Sequence, residues 1–416
     1  MIGRAARRAL SLLLLANVMN FYDRQIVAAL AEAIKVEFAL TDVQVGGLNS
    51  AFELTYPFAA LVLALAADRW GRQRIIALIV ALWSTATALT GTAGSYLALV
   101  LARLGVGVGQ GGYGPAAVAT LAGVFPESYR ARAVAVHDTG MMLGSAAGYL
   151  LGGLIAGATG WRISFFVAGL LGLPLAWGVW RLRPAPSVPA SHRPRLPLPQ
   201  LAADSLGQIL AVPTLRLLYV SGVLFYLATG GVIFWLPTFL QRFHGYTLAS
   251  AAAIGGAAQV VAGVAGVLAG GWLGDRLRQR HPGGRLLAAG LGLAVATPLA
   301  VVAVLTPSRL IFLAAAGLAL FFYAFNSPCI GPQIHDVTPP PYRVTAQAIS
   351  LFLTHYLGNL PSAPFIGWLS DSSGNLRLGM VVMPGFGLLA ALLMLWGARF
   401  VARDAAGVDL SPGDHR

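Results

Sequence analysis

Ala64-Leu-Ala-Ala-Asp68-Arg69-Trp-Gly71-Arg72 follows the second long apolar run of this chain. A related stretch, Gly271-Trp-Leu-Gly-Asp275-Arg276, follows the eighth run. The aspartates of the two copies are 207 residues apart. A carboxylate at a helix end can pair with arginines or cap a neighbouring helix N-terminus, and a glycine permits a tight turn. The stretch therefore predicts a latch between helices, and an ordinary basic loop is the alternative.

A second pattern also occurs twice. Pro126-x-x-x-Arg130-x-x-Ala133 precedes the fifth apolar run, and Pro339-x-x-x-Arg343-x-x-Ala346 precedes the eleventh, 213 residues later. Two independent patterns at matching offsets indicate a duplicated unit. The residues of these two patterns, together with the nearby Arg132 and Asp138, are the predicted gate residues, which are Asp68, Arg69, Gly71, Arg72, Arg130, Arg132, Asp138, Asp275, Arg276 and Arg343.

Twelve apolar runs fall into two sets of six. Each has about 18 to 28 residues, enough to cross a hydrocarbon core of about 30 Å. The first set covers 9–30, 43–66, 75–93, 96–123, 133–156 and 163–180, and the second covers 215–236, 249–273, 286–305, 310–330, 346–369 and 379–400. We therefore expect an all-α membrane protein of twelve transmembrane helices in two pseudo-symmetric six-helix bundles. These bundles are 1–181 and 215–416, and a Pro- and Arg-rich cytoplasmic linker, 182–214, joins them.

Composition and charge agree with a membrane protein. Of the 416 residues, 57% are hydrophobic and 10% are charged, whereas soluble domains have about 25% charged residues. The net charge of +13 comes from basic residues concentrated in alternate loops, as the positive-inside rule requires when both termini are cytoplasmic. The charge therefore reports topology and excludes a nucleic-acid partner. The run 9–30 contains Asp23 and Arg24 and is expected to be a transmembrane helix of a bacterial plasma (inner) membrane protein, not a signal peptide.

Glycines recur at regular spacing in two of the runs. Gly140, Gly144, Gly148 and Gly152 lie four residues apart, a spacing that places them on one helix side and allows close helix approach. The run Gly105-x-Gly107-x-Gly109-Gln110-Gly111-Gly112 resembles a dinucleotide-binding loop in spacing alone. Because no strand precedes it and it lies in an apolar run, we interpret it as packing.

Ionisable residues inside the predicted helices are the strongest functional signal, since they are costly in lipid and normally face a cavity or a partner. They are Asp23, Arg24, Glu53, Arg103, His137, Asp138 and His355. Helical rise puts Asp23, Arg24, Glu53 and Arg103 at a similar depth. We predict proton coupling by Asp23, Glu53 and His355, with a static salt bridge or an interhelical hydrogen bond as the alternatives. His137 and Asp138 fit a gate network or a substrate contact equally well.

The Asp68–Arg72 loop resembles the signature loop of the major facilitator superfamily, with Ala64 in place of its leading glycine. Other motifs resemble the spinster branch of lipid-type transporters. They are Asn20-Phe-Tyr-Asp23-Arg24, Arg103-Leu-Gly-Val-Gly-Val-Gly-Gln110, Arg130-Ala-Arg132-Ala133 and the helix 11 stretch from His355 to Asp371. The resemblance implies alternating access with proton-linked movement of an amphiphile such as a lysophospholipid. Two residues depart from the family pattern: Gln110 replaces a glutamate, and Asn359 replaces a frequent aspartate.

The predicted substrate contacts are Arg24, Arg103, Gln110, Asn326, Tyr226, Trp235 and Phe325. Charge in the first half and aromatic residues in the second suit an amphiphile with a charged head group. A proton-coupled symporter of small carboxylates and a drug or metabolite exporter are the alternatives. We find no zinc, nucleophile-elbow or Walker motif, which argues against an enzyme, and the polar groups cluster in one half, which argues against a channel. We expect a monomer with protons, membrane lipids and a small-molecule or lipid substrate as partners, and neither cofactor nor metal.

Overall fold

The computed structural model describes residues 3–182 and 206–409. Within these ranges the side chains of Leu61, Ala64, Leu65, Asp68 and Asp409 are not described. The described residues are helical almost throughout and contain no β-strand. Most of the predicted linker, at 183–205, lies outside the described residues.

Seven helices make up residues 3–182, the described part of the first half. They are α1 (Arg4–Phe38), α2 (Asp42–Trp70), α3 (Arg72–Gly91), α4 (Tyr96–Gly111), α5 (Tyr113–Val124), α6 (Glu127–Thr159) and α7 (Trp161–Trp180). The connections are short, and Gly71 alone joins α2 to α3. Its φ of 93° lies in the region that favours glycine, which explains the tight turn predicted after Asp68.

Among its described residues, the second half has a helical stretch at 206–211, nine further helices and two irregular segments. The helices are α8 (Pro213–His244), α9 (Leu248–Arg278), α10 (Gly284–Leu305), α11 (Arg309–Tyr323), α12 (Asn326–Asp336), α13 (Arg343–Leu353), α14 (Leu360–Ser373), α15 (Leu376–Gly397) and α16 (Val401–Asp409). A 3-10 turn at Pro340–Tyr342 precedes α13, and a π-helical segment at Thr354–Asn359 joins α13 to α14.

The predicted spans coincide with these helices, apart from a few terminal residues. Within the described part of the chain, eight helical stretches are long and apolar enough to cross a membrane by length and hydropathy alone: Arg72–Gly91, Glu127–Thr159, Trp161–Trp180, Pro213–His244, Leu248–Arg278, Gly284–Leu305, Arg309–Asp336 and Leu376–Gly397. The other four predicted spans lie in α1, in α2, in α4 with α5, and in α13 with α14. These four spans contain Asp23, Glu53, Arg103 and His355. Each of these is an ionisable residue that sequence analysis assigned to function.

The chain divides into two compact units, each with its own set of packed helices. Unit 1 comprises Met1–Pro189, Ile233–Val260 and Ala363–Gly374. Unit 2 comprises Ala190–Val232, Val261–Ser362 and Asn375–Arg416. Unit 1 therefore contains the predicted first bundle together with the ends of α8, α9 and α14 that come from the second half.

The glycine stripe of α6 packs against α1. A Cβ on Gly140 would lie 2.9 Å from the Cβ of Asn17, and a Cβ on Gly148 would lie 2.5 Å from the carbonyl oxygen of Tyr22. No side chain fits in so narrow a space, so the glycines set the distance between the two helices. The prediction of close helix approach is confirmed.

The glycine run of α4 also packs closely. A Cβ on Gly107 would meet the backbone of Phe52 in α2, and a Cβ on Gly109 would lie 2.7 Å from the Cβ of Trp83 in α3. Helices on both sides therefore occupy the space that a nucleotide would need, and the interpretation of this run as packing is confirmed.

The duplication is visible in side-chain geometry as well as in sequence. Arg130 Nε donates to the carbonyl oxygen of Phe125 at 3.2 Å, and Arg343 Nε donates to that of Thr338 at 3.2 Å. Each arginine thus bonds the fifth residue before it, at the start of the fifth and eleventh predicted spans. Both repeats also break a helix in the preceding span, between α4 and α5 and between α11 and α12.

Candidate functional site: a polar cavity in unit 1

A cavity of about 280 Å³ opens inside unit 1. Its wall combines polar and apolar side chains from α1, α2, α4, α5 and α6. The lining residues are Asn17, Asn20, Phe21, Arg24, Tyr56, Gln110, Tyr113, Gly114, Val118, His137, Asp138 and Met141. Asn17, Asn20 and Arg24 are three and four residues apart, so the helical repeat brings them to one face of α1.

Arg24 is the cationic residue of this wall. Its Nε donates to Gln110 Oε1 at 3.0 Å. The guanidinium carbon lies 4.7 Å from the ring centre of Phe21, 5.0 Å from that of Phe52 and 4.5 Å from that of Tyr56. Three aromatic faces therefore hold the charge in place through cation–π attraction. Sequence analysis predicted both Arg24 and Gln110 as cavity residues, and the structure places them together.

Asp23 lies behind this wall, not in it. It is 1% exposed, and its Oδ2 accepts a hydrogen bond from Thr87 at 3.1 Å. Arg103 Nη1 donates to the Asp23 backbone carbonyl at 3.4 Å, and its Nε donates to that of Leu48 at the same distance. Glu53 is also buried and interacts electrostatically with Arg103. The predicted charge cluster therefore forms, but only Arg24 of its four members lines the cavity.

Tyr113, His137 and Asp138 form the wall on the side of α5 and α6. His137 Nε2 lies 3.2 Å from the Tyr113 hydroxyl, and His137 Nδ1 lies 3.0 Å from Asp138 Oδ1. The Tyr113 hydroxyl donates to the carbonyl of Leu13. Asn17 Nδ2 donates to the His137 carbonyl at 2.9 Å. These residues connect α1, α5 and α6. Sequence analysis missed Tyr113 and Asn17, because no spacing distinguishes them from residues that only pack.

A second polar cluster joins the ends of α1, α2, α8 and α14, all within unit 1. Arg242 donates to Asp42 through both terminal nitrogens, at 2.8 and 2.9 Å, and to Glu32 through Nε and Nη2 at 3.0 and 2.7 Å. Lys35 and Ser370 also donate to Asp42. The cluster lies at the opposite end of α2 from the Asp68–Arg72 turn.

Two features stabilise Asp42 at the start of α2. Asp371 accepts the backbone N–H groups of Asp42 and Val43 at 2.8 Å each, which satisfies donors that a helix N-terminus leaves unpaired. Burial would raise the pKa of the Asp42 carboxyl, but the hydrogen bonds from Arg242, Lys35 and Ser370 outweigh it and hold the pKa at about 2. Sequence analysis missed this cluster, because its members lie at helix ends far apart in the chain.

Candidates in the second half have different surroundings. In unit 2, His355 lies in the π-helical segment and stacks on Tyr226, with ring centroids 6.2 Å apart. Asn326 is buried with its Oδ1 lacking a hydrogen-bond partner among the described residues, and Phe325 packs against Phe321 and Phe322.

Trp235 belongs to unit 1. It is fully buried, and its indole N–H donates to the Ala363 carbonyl at 3.0 Å. None of the second-half candidates lines the cavity described above.

The predicted gate residues form local contacts. Arg72 Nη1 lies 3.5 Å from the Ala119 carbonyl in unit 1, and Arg132 lies over the Tyr129 ring at 6.0 Å. In unit 2, Asp275 accepts from Arg285 at 3.2 Å, and Arg276 lies over the Trp272 ring at 5.4 Å. Arg69 is exposed, and the side chain of Asp68 lies outside the described part of the chain, so the latch at that residue stays a prediction.

Comparison with known proteins identifies the family. The sequence model of the Major Facilitator Superfamily matches residues 13–360. An MFS-type efflux pump of Mycolicibacterium smegmatis is 32% identical over 409 residues, covering 95% of this chain and 91% of that protein. Protein spinster homolog 3 of Danio rerio is 26% identical, covering 97% of this chain and 86% of that one.

The fold comparison agrees. The crystal structure of a bacterial homolog to the human lysosomal transporter Spinster, in an inward-facing and unoccupied conformation, has a TM-score of 0.85 and 24% identity, and it covers 99% of this chain and 100% of that one. The relatives and the fold are those of transporters, not of enzymes. This chain is an integral membrane transporter that belongs to the Major Facilitator Superfamily and resembles its spinster members.

Proposed function

We propose that this protein is a proton-coupled secondary transporter that works by alternating access and moves an amphiphile with a charged head group. It acts as a monomer in a bacterial plasma membrane, with both termini in the cytoplasm. Lysophospholipids are the substrate type that the spinster resemblance suggests. The polarity of the substrate, the first proton-coupling candidate and the closure each rest on a separate feature of unit 1.

The composition of the cavity wall is the observation that favours an amphiphile. Arg24 and Gln110 provide a polar region for a head group. Phe21, Val118 and Met141 provide an apolar region in the same cavity. A head group and a hydrocarbon chain would each find surroundings of matching polarity. The chain would gain free energy from burial of its apolar surface, and the head group would keep hydrogen-bond partners and so avoid the cost of desolvation.

Proton coupling is assigned first to Asp23. It is a titratable group in the interior of a membrane protein, one helical turn after the cavity residue Asn20 and directly before the cavity residue Arg24. Its Oδ1 has no hydrogen-bond partner among the described residues. Intramembrane carboxylates of this kind mark proton pathways in transporters. Glu53 and His355 are the second and third candidates, because each is an ionisable residue within a predicted span.

Alternating access requires a closure that can form and break on each side of the membrane. The Arg242–Asp42–Glu32 cluster suits the side we expect to be extracellular, since it ties the first two predicted spans to the seventh. Asp371 and Ser370 add the eleventh span. Charge-assisted hydrogen bonds between helix ends can close an interface and still separate when the helices tilt.

Transport by protein in liposomes tests the proposal. Purified protein in liposomes with an imposed pH gradient should move lauroyl lysophosphatidylcholine in a saturable way, and the rate should fall when a protonophore collapses the gradient. Counterflow of labelled against unlabelled substrate would separate a carrier from a channel. Rates equal to those of protein-free liposomes for this lysophospholipid and for other amphiphiles would refute the substrate class.

A small organic anion is the second candidate substrate. The cavity volume of about 280 Å³ favours it, because a short acid fits in that space without an apolar chain. Gluconate in the same liposome assay decides between the two classes. Saturable, gradient-driven gluconate flux with no lysophospholipid flux would favour the small-anion symporter.

A further inference from the structure

Arg24 has an unusual set of partners for a buried cation. Among the ion pairs of the described residues, none includes Arg24. Its single hydrogen bond within the described ranges goes to the amide of Gln110, which is neutral. The three aromatic rings around it attract the cation but do not neutralise it. No carboxylate of the described residues therefore pairs directly with Arg24, and its positive charge faces the cavity.

The orientation of Gln110 adds a second feature. Arginine is only a donor, so the oxygen of the Gln110 amide must be the atom that faces Arg24. Gln110 Nε2 consequently points elsewhere, and it has no hydrogen-bond partner among the described residues. Gln110 is 1% exposed. A buried N–H group without an acceptor is destabilising, so an acceptor on a ligand would restore a lost interaction.

Asn20 repeats this pattern one helical turn from Arg24. It is 2% exposed, lines the same cavity, and its Nδ2 lacks a partner within the described part of the chain. One cation and two unpartnered amide donors therefore share one cavity. Carboxylate, sulfonate and phosphate groups supply what all three lack, which is negative charge and several acceptor oxygens.

We propose that Arg24, Gln110 and Asn20 form a binding site for an anionic oxygen group of the substrate, and that Gln110 determines this specificity. The inference rests on the proposed function, because it identifies the head group of the transported molecule. The neutral amide of Gln110 orients Arg24 without consuming its charge, and Gln110 Nε2 donates to the bound anion. A glutamate at this position would pair with Arg24 and occupy the site with its own carboxylate.

Binding measurements on the full-length protein in nanodiscs test the inference. The probes are dodecyl phosphate, dodecanoate and dodecanol, which share one chain length and differ in head group. Glycerol phosphate distinguishes a free small anion from a lipid-like one. The wild-type protein should bind dodecyl phosphate at least about tenfold more tightly than dodecanol, as expected for a charge-assisted hydrogen bond.

Gln110→Glu should reduce the binding of dodecyl phosphate and of dodecanoate, relative to that of dodecanol, about tenfold or more. Gln110→Met, which keeps the length of the side chain but has no N–H, should lose part of the anion preference without added charge. Gln279→Glu is the matched control, because it makes the same chemical change at an exposed residue and should not alter the preference.

Equal wild-type affinity for dodecyl phosphate and dodecanol would overturn the inference, as would an anion preference that both Gln110 variants retain. If Gln110→Glu does not fold, the head-group preference of Gln110→Met decides by itself. These measurements separate the failure of this inference from the failure of the proposed function. Affinity that rises with acyl chain length but does not depend on the charge of the head group would refute the anion site only. Tight binding of glycerol phosphate, together with an affinity for the dodecyl probes that gains nothing from the hydrocarbon chain, would support the anion site and refute only the amphiphilic substrate class.

Discussion

Arg242 forms two parallel hydrogen bonds with Asp42, a residue 200 positions earlier in the chain, at 2.8 and 2.9 Å. This bidentate geometry gives the pair directional strength that a single contact lacks. Glu32 accepts two more hydrogen bonds from the same guanidinium. The arginine thus joins three helices, and its removal is expected to weaken the closure at this end of unit 1.

Arg242→Gln should increase the rate at which a cysteine in the cavity is labelled from the extracellular side. The variant loses its charge-assisted hydrogen bonds, each worth about 1.5–3 kcal/mol, and leaves Glu32 without its arginine partner. The measurement is reaction of a membrane-impermeant maleimide with Phe21→Cys in a Cys329→Ala background. Arg162→Gln is the control, because Arg162 bonds Glu37 of α1 and the Ala93 carbonyl of the first half only. Equal labelling of Arg242→Gln and wild type would contradict this role.

The same closure should be insensitive to pH across the physiological range. The pKa of Asp42 is about 2, below its ordinary value of 3.8. A depressed carboxyl pKa contributes stability above pH 3.8, and this contribution is lost as the pH falls towards 2. The rate of labelling of the Phe21→Cys protein, divided at each pH by the rate for a free thiol to remove the titration of the thiol itself, should therefore stay constant between about pH 8 and pH 5. A rise in this normalised rate between about pH 7 and pH 5 that Asp42→Asn abolishes would show that this carboxyl titrates there instead.

Asp23→Asn should abolish accumulation driven by a pH gradient while retaining counterflow. Asparagine preserves the shape of the side chain and can still bond Thr87, so the fold should persist, but no proton can be exchanged at this residue. The measurement compares gradient-driven uptake with counterflow in the same liposomes. Glu127→Gln, at an exposed carboxyl, is the control and should leave both unchanged. Wild-type accumulation by Asp23→Asn would transfer the coupling role to Glu53 or His355.

Affinity for the amphiphile should rise with acyl chain length. Each additional buried CH₂ contributes up to about 0.8 kcal/mol, and the gain should end once the chain extends beyond the apolar wall. Binding of lysophosphatidylcholines from octanoyl to myristoyl, at concentrations below micelle formation, measures the slope. An affinity that does not change with chain length, together with tight binding of a short sugar acid, would favour the small-anion symporter.

Gly148→Ala should destabilise the protein by about 1–3 kcal/mol, because the new Cβ would lie 2.5 Å from the Tyr22 carbonyl oxygen. Thermal unfolding in detergent measures the loss. Gly317→Ala is the matched control, since no atom lies within 4 Å of its added Cβ and alanine favours helix. A Gly148→Ala protein with the melting temperature of wild type would mean that α1 and α6 separate easily at this point.

The sequence by itself determined the fold class and the duplication. Length and hydropathy located helices at all twelve predicted spans, because a membrane helix must be continuously apolar over about 20 residues. The paired motifs at Arg130 and Arg343 indicated the repeat, and their matching bonds to Phe125 and Thr338 follow from it. Glycine spacing predicted the contact of α6 with α1, since the spacing alone defines a helix face.

Only the tertiary structure decided which polar residues meet. The sequence placed Asp23 and Arg24 at the same depth in the membrane. Side chains of adjacent helical residues project about 100° apart, however. Asp23 therefore contacts Thr87, whereas Arg24 lines the cavity. The unpartnered donor of Gln110 and the Arg242–Asp42 pair depend on residues 86 to 200 positions apart. No local pattern encodes such contacts, because they arise from the packing of whole helices and not from the period of any one of them.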